Sequence, residues 1–210
     1  MRGRDFRSIC AVSLASALVG WSFVAPRLPT RWRVPAQVVA GGLLMLVSGA
    51  PLGLTAPRLV VGLRLGSAGA AVAGAVVAAT TAVRRVRLSM SAREPATPAA
   101  VWLALQIPLG TVWAEETAFR GALATAGTAA FGPTAGRIVQ AAAFGLSHIT
   151  DARAHGEPVV ATVLATGLAG WLFGWLADRS GGLVAPMLAH LVINETAAAA
   201  VLTIRRRQAP

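Results

Sequence analysis

The sequence predicts an all-α fold, a polytopic transmembrane helix bundle with about seven apolar segments around a polar intramembrane cavity. Composition supports this first: 55% of the 210 residues are hydrophobic and 13% are charged, which is too apolar for an ordinary soluble domain. The apolar residues also form runs, most of which can cross a hydrocarbon core of about 30 Å. Finally, several ionisable residues lie within those runs, where they are costly and therefore indicate function.

Seven apolar runs follow one another along the chain, with a range of six to eight because the fourth is unusually long. The runs cover residues 8–25, 34–54, 67–83, 97–127, 134–149, 158–177 and 183–204. We therefore treat residues 1–210 as a single transmembrane domain.

The first and fourth runs need separate justification. The first follows a basic N-terminus like that of a signal peptide, but Pro26 directly after Ala25 is a poor cleavage context, so we expect an uncleaved span. The fourth would reach about 45 Å as one straight helix. Pro108 within it predicts a kink, because proline removes a helical hydrogen bond.

The basic residues lie mainly in the polar intervals between the runs. All nineteen are arginines, and the net charge is +11. This placement suits anionic lipid headgroups and topology signals, and we expect no nucleic-acid partner. The positive-inside rule favours an outside N-terminus, with eleven arginines on the cytoplasmic side: Arg27, Arg31, Arg33, Arg84, Arg85, Arg87, Arg93, Arg153, Arg205, Arg206 and Arg207.

The fourth run contains two adjacent carboxylates and an arginine, Glu115, Glu116 and Arg120. On a helix, Glu116 and Arg120 are four residues apart and share a face, so they can form an ion pair. Glu115 is rotated by about 100° from Glu116 and must find its partner elsewhere in the bundle.

Two later runs supply candidate partners for Glu115. His148 ends the fifth run, and His190 shares one helical face of the seventh run with Asn194. Polar groups on separate apolar helices can escape lipid by meeting around one cavity. His155 lies in a polar loop, and we expect it to be solvated.

These residues allow two kinds of hydrolytic chemistry. Glu115 and His148 can polarise a water molecule, while His190 and Asn194 can donate hydrogen bonds to the oxyanion formed when water attacks a carbonyl. Alternatively, Glu115, His148 and His190 can hold zinc with water in its open position. The His-Glu-x-x-His pattern that would favour zinc is missing, and both alternatives stay open.

The polar residues form three motifs. They are Glu-Glu-x-x-x-Arg (Glu115, Glu116, Arg120), Phe-x-x-x-His (Phe144, His148) and His-x-x-x-Asn (His190, Asn194). In this order they resemble the CPBP intramembrane proteases, which include CAAX prenyl endopeptidases and bacteriocin-processing or bacteriocin-immunity proteins. The resemblance covers residues 97–204 as a catalytic core and leaves the spans in 1–96 without an assigned role.

The resemblance implies an intramembrane endopeptidase. Glu115 and His148 would activate water, His190 and Asn194 would stabilise the oxyanion, Arg120 would support the site, and Glu116 would pair with Arg120 or assist. Family members are described both as metalloproteases and as metal-independent glutamate proteases, so zinc is a possible cofactor.

The expected partners are membrane lipids and a peptide or membrane-protein substrate, and the sequence assigns no oligomeric state. The lysine-free, Ala-rich and Gly-rich composition is typical of high-GC bacterial coding, so we expect a multi-pass protein of a bacterial inner or plasma membrane. Two alternatives are a non-catalytic immunity or scaffold protein of the same fold and a proton-coupled transporter. Against the transporter stands the lack of paired inverted repeats.

Overall fold

The computed structural model describes residues 3–95 and 97–207, and within these ranges the chain forms helices and turns without a strand. A short 3-10 helix, Ala25–Arg27, follows the first of nine longer helical segments in this described part: α1 (Gly3–Val24), α2 (Thr30–Ser48), α3 (Ala56–Thr81), α4 (Arg84–Ala92), α5 (99–131), α6 (Pro133–Ser147), α7 (Ile149–Ala154), α8 (Val159–Ser180) and α9 (Val184–Arg206). The predicted all-α class is confirmed.

Four helical segments are long and apolar enough to cross a membrane by length and composition: Gly3–Arg27, Ala56–Thr81, Val159–Ser180 and Val184–Arg206. The protein is therefore a multi-pass membrane protein. The other three predicted runs correspond to α2, α5 and α6, and the count of seven spans stays a prediction. Large apolar side chains cover the outside of the bundle, as lipid contact requires; Val47 is 87% exposed and Val160 is 73% exposed.

The largest differences from the predicted runs are at the end of α2 and the start of α3. Helix α2 ends at Ser48, because Gly49 adopts a left-handed conformation with φ 63° and terminates it. Helix α3 begins at Ala56, well before residue 67, with Pro57 in its first turn. Arg58 and Arg64 interrupt the apolar pattern there without interrupting the helix.

Helix α5 is continuous but not uniformly α-helical. Two of its sections, Trp102–Trp113 and Glu116–Leu123, are π-helical. Pro108 lies in the first section, where the wider turn accommodates a residue that has no N–H to donate. Inserted π-turns are frequent at functional sites, and both sections lie next to Glu115.

Glycines allow two pairs of helices to pack closely. Gly62 and Gly66 of α3 lie against Val184 and Ala185 of α9. On α8, Gly170 and Gly174 form a Gly-x-x-x-Gly pair that packs against α6: Gly170 lies against the ring of Phe144, and Gly174 against Gln140. These contacts position α9, which carries His190, and α6, which ends directly before His148.

The helix ends place most of the arginines at one end of the bundle. Thr150 of α7 donates a hydrogen bond to the carbonyl of Ser22 at the end of α1 (3.1 Å). Arg93 pairs with Asp151 and Glu157, and Arg205 of α9 donates to the carbonyl of Arg93 (3.3 Å). Arg33 and Arg85 line the same cavity as Arg93, Asp151 and Glu157. We call the end of the bundle formed by these residues and Arg205 the arginine-rich end; the side of the membrane that it faces stays a prediction.

Candidate active site

A cavity of about 1110 Å³ runs from the arginine-rich end into the bundle. Arg93, Asp151 and Glu157 line its outer part, and side chains of α1, α2, α5, α6 and α9 line its walls. Among its lining residues are three of the predicted site residues: Glu115, His148 and Asn194. The structure therefore brings together polar groups from three helices.

A buried ion cluster lies behind this wall. The Glu116 and Arg120 side chains are both fully buried, and Arg120 Nη1 lies 3.2 Å from Glu116 Oε1. The same oxygen accepts a hydrogen bond from His190 Nδ1 at 2.7 Å. The predicted Glu116–Arg120 pair is present, but Glu116 also holds His190, which lies 74 residues further along the chain.

Two aromatic rings enclose the ion cluster. The Arg120 guanidinium carbon lies 3.9 Å from the ring centroid of Phe144 and 5.0 Å from that of Phe173. The His190 ring stacks on Phe173 with centroids 5.1 Å apart and an interplanar angle of 25°. The nitrogens of Arg120 make no hydrogen bond to a described residue, so the Glu116 charge and the two π-faces hold this cation.

Glu115 sits between the cavity and the ion cluster. Its side chain is 30% exposed, and its Oε2 atom lies 3.8 Å from His190 Nε2, which is too long for a hydrogen bond. Oε2 is enclosed and accepts no hydrogen bond from a described residue. Glu115 therefore retains free acceptor capacity beside a histidine, as a proton acceptor requires.

His148 is the residue that follows α6, with φ −89° and ψ 0°, a sparsely occupied backbone region where many active-site residues lie. Its Nδ1 atom lies 2.8 Å from the carbonyl oxygen of Phe144. A carbonyl can only accept, so this contact assigns the proton of neutral His148 to Nδ1. Nε2 is then left with a lone pair that can accept a proton.

Asn194 lies one turn after His190 on α9. Its Nδ2 donates to the carbonyl of His190 at 3.0 Å, which uses one of its two N–H donors. The second donor is available at the cavity wall, to which Asn194 contributes. His155, by contrast, is exposed and pairs with Asp151, away from this cluster, as predicted.

The three residues proposed as zinc ligands do not converge. Within residues 3–95 and 97–207, no group of three His, Cys, Asp or Glu side chains has a geometry suited to holding a metal ion. His190 Nδ1 is engaged by Glu116 and His148 Nδ1 by a backbone carbonyl, so Nε2 is the free nitrogen of each ring. No chemical step below involves a metal.

The sequence-based reasoning missed Phe173. It lies in the apolar run of α8, where a phenylalanine is indistinguishable from a packing residue. The sequence around it consists of small and apolar residues, which do not indicate the side chains that Phe173 contacts. The structure shows that it contacts both Arg120 and His190.

Replacing Phe173 with Leu is expected to lower the free energy of unfolding by about 2 kcal/mol, through lost packing and a lost cation–π contact. Chemical unfolding of the purified protein in detergent measures this. Phe131→Leu is the matched control, because Phe131 is exposed at the end of α5. Equal stability of the two variants would contradict a supporting role for Phe173.

The fold and the site define a class: a multi-pass helical membrane protein with a cluster of acid–base residues beside an internal cavity. Residues 97–196 match the family described as type II CAAX prenyl endopeptidase Rce1-like. This confirms the predicted resemblance: the segment is similar to a family of proteases. No curated protein matches the chain, and no solved structure matches it.

Proposed function

We propose that the chain is an intramembrane endopeptidase that hydrolyses a peptide bond with a water molecule held between Glu115 and His148. The observation that carries this proposal is that both residues line one cavity while each keeps a free proton-accepting atom. The protease family of residues 97–196 supports hydrolysis as the reaction. It does not favour the non-catalytic or transporter alternatives.

The proposed first step forms a tetrahedral intermediate. Glu115, assisted by Nε2 of His148, accepts a proton from water as the water oxygen adds to the peptide carbonyl carbon. The carbonyl oxygen becomes an oxyanion. In the second step the C–N bond breaks, the amine nitrogen receives the proton held by Glu115, and the products are a carboxylic acid and an amine.

The proposed oxyanion donors are His190 and Asn194. His190 Nδ1 is already donated to Glu116, so His190 can donate from Nε2 as well only as an imidazolium. In that form His190 would stabilise a developing oxyanion electrostatically.

Two features of the cavity support a substrate that enters from the membrane or its surface. At one end the cavity is lined by charged residues of the arginine-rich end, including Arg93. Along its side it is lined by Leu43 of α2, an apolar residue that is 57% exposed. An extended peptide with an apolar part would match this combination of polar and apolar walls.

The proposal is tested with purified protein in proteoliposomes, using two substrates and mass spectrometry of the products. One is a prenylated peptide with a C-terminal CAAX sequence, the substrate type named in the family description; the other is a mixture of membrane proteins. We expect new peptide termini with the wild-type protein and none with Glu115→Gln, and unchanged cleavage after metal chelation. If neither substrate yields a terminus that depends on Glu115, the proposed function is wrong.

A further inference from the structure

Two polar side chains on the cavity wall have no part in the proposed hydrolytic steps. Gln37 of α2 and Thr111 of α5 both line the cavity, and both residues are partly buried. Neither side chain forms a hydrogen bond with a residue in 3–95 or 97–207. None of their polar atoms is enclosed by protein, so these groups face the space of the cavity.

The free hydroxyl of Thr111 departs from the pattern of other helical threonines in this chain. A threonine in a helix commonly donates its hydroxyl to the carbonyl four residues earlier, as Thr117, Thr166 and Thr203 do here. Thr111 makes no such bond, and it lies in the π-helical section Trp102–Trp113. Its hydroxyl therefore keeps both its donor and its acceptor capacity.

The packing of α2 on α5 places Gln37 beside Thr111. A Cβ atom on Gly110, the residue before Thr111, would lie 3.3 Å from Gln37 Oε1, so the glycine leaves room for the amide next to the α5 backbone. Trp113 Nε1 donates to the carbonyl of Val38 at 3.2 Å and fixes the two helices at this level. The amide and the hydroxyl therefore belong to one site on the wall.

This site lies between Glu115 and the arginine-rich end. Thr111 is four residues before Glu115, which corresponds to about 6 Å along a helix at 1.5 Å per residue. Arg33, one turn before Gln37 on α2, lines the same cavity, so the wall continues from the site towards the arginine-rich end. An extended peptide advances about 3.3 Å per residue. The site is therefore about two substrate residues away from Glu115.

We infer that Gln37 and Thr111 bind the backbone of an extended substrate about two residues from the bond that is cleaved, an inference that rests on the proposed function. A glutamine amide donates and accepts, so it matches the N–H and C=O of a peptide group, and the hydroxyl of Thr111 supplies a further donor. Backbone groups that enter this cavity lose water and need such partners.

The pair recognises the conformation of the substrate backbone. In an α-helix the N–H and C=O groups are bonded to each other, so a helical segment has none to offer to Gln37 and Thr111. An extended segment presents both groups. The substrate class is therefore a peptide that is unwound for at least two residues beside the cleaved bond.

Steady-state kinetics in proteoliposomes test the inference with a synthetic peptide: the prenylated CAAX peptide, or one spanning a cleavage site found in the membrane-protein mixture. Gln37→Leu and Thr111→Val are each expected to lower kcat/KM about threefold to tenfold, mainly through a higher KM, because a hydrogen bond to bound substrate is lost. Thr166→Val and Gln106→Leu are the matched controls and should keep wild-type kinetics. The hydroxyl of Thr166 is bonded within α8, and Gln106 already accepts a hydrogen bond from Thr97.

A second measurement leaves the protein unchanged and alters the substrate. An ester replaces one backbone amide at a time on either side of the cleaved bond, which removes one N–H. At the position bound by Gln37 and Thr111, the ester should raise KM of the wild-type protein about as much as a substitution does. In the double variant the same ester should raise KM little further. Full additivity at every position, or a wild-type KM in both single variants, would overturn the inference.

Peptide binding to Glu115→Gln, measured by fluorescence anisotropy, separates the inference from the proposed function because it needs no turnover. Adding Gln37→Leu or Thr111→Val should weaken binding of the same peptide about threefold to tenfold. Cleavage that depends on Glu115, with unchanged KM and affinity in both variants, overturns the inference alone. Binding that depends on Gln37 and Thr111 without any cleavage overturns the proposed function alone, and a peptide that is neither bound nor cleaved overturns both.

Discussion

Replacing Glu115 with Gln is expected to lower kcat for peptide hydrolysis by about 10³-fold or more, because general-base catalysis contributes on this order. The amide keeps the size of the side chain but cannot accept a proton from water at neutral pH. Glu115 is partly exposed to the cavity and 3.8 Å from its nearest ionic neighbour, so the substitution breaks no strong contact. The fold should therefore survive, as measured by chemical unfolding.

The matched control for this variant is Glu94→Gln, the same change at a carboxylate that is 81% exposed and paired with Arg205. It should retain wild-type turnover. A Glu115→Gln protein with normal kcat would exclude Glu115 as the proton acceptor and leave His148 as the remaining base of the cavity. A Glu115→Gln protein that fails to fold would show that its contact with His190 is structural.

The second large effect concerns stability. Arg120→Met is expected to lower the free energy of unfolding by about 3–5 kcal/mol, because it leaves the buried Glu116 carboxylate without its cation. Glu116 and Arg120 are both fully buried and 3.2 Å apart, so water cannot replace the lost partner. Activity should fall too, since Glu116 also fixes the orientation of His190 through a 2.7 Å hydrogen bond.

A double variant separates the effect of lost packing from the effect of leaving one buried charge unpaired. Glu116→Gln combined with Arg120→Met removes both charges, and it should recover part of the stability lost in the single variant. Arg64→Met is the control, because Arg64 is exposed on α3 and its loss should change stability little. If Arg120→Met is as stable as Arg64→Met, the buried pair does not hold the bundle together.

Much of the fold could be predicted from the apolar runs alone. The helices α5, α6, α8 and α9 begin and end within a few residues of the predicted runs, because Gly, Pro and charged residues mark their ends. The predicted start of α3, residue 67, was wrong, because the helix begins at Ala56. Hydropathy registers Arg58 and Arg64 as breaks, whereas arginine is a good helix former and continues the helix.

The sequence identified the residues of the candidate site, but it could not predict the contacts that they make between helices. Helical spacing correctly paired Glu116 with Arg120, since both lie on one helix. Nothing local could reveal that His190 bonds Glu116, because that contact depends on how α9 packs against α5. Phe173 could not be found for the same reason: its role comes from its neighbours, and its sequence context is that of any lipid-spanning helix.

The π-helical sections of α5 bear on why two consecutive carboxylates can serve one histidine. In an α-helix, Glu115 and Glu116 would point about 100° apart; a π-helical turn contains more residues, so neighbours diverge less. Glu116 is hydrogen-bonded to one ring nitrogen of His190, and Glu115 lies 3.8 Å from the other. The π-helical geometry thus keeps both carboxylates on the side of α5 that faces His190. A substitution that converted these turns to regular α-helix would rotate one carboxylate away from His190, so that proton transfer at Glu115 and the ion pair at Glu116 would no longer share this residue.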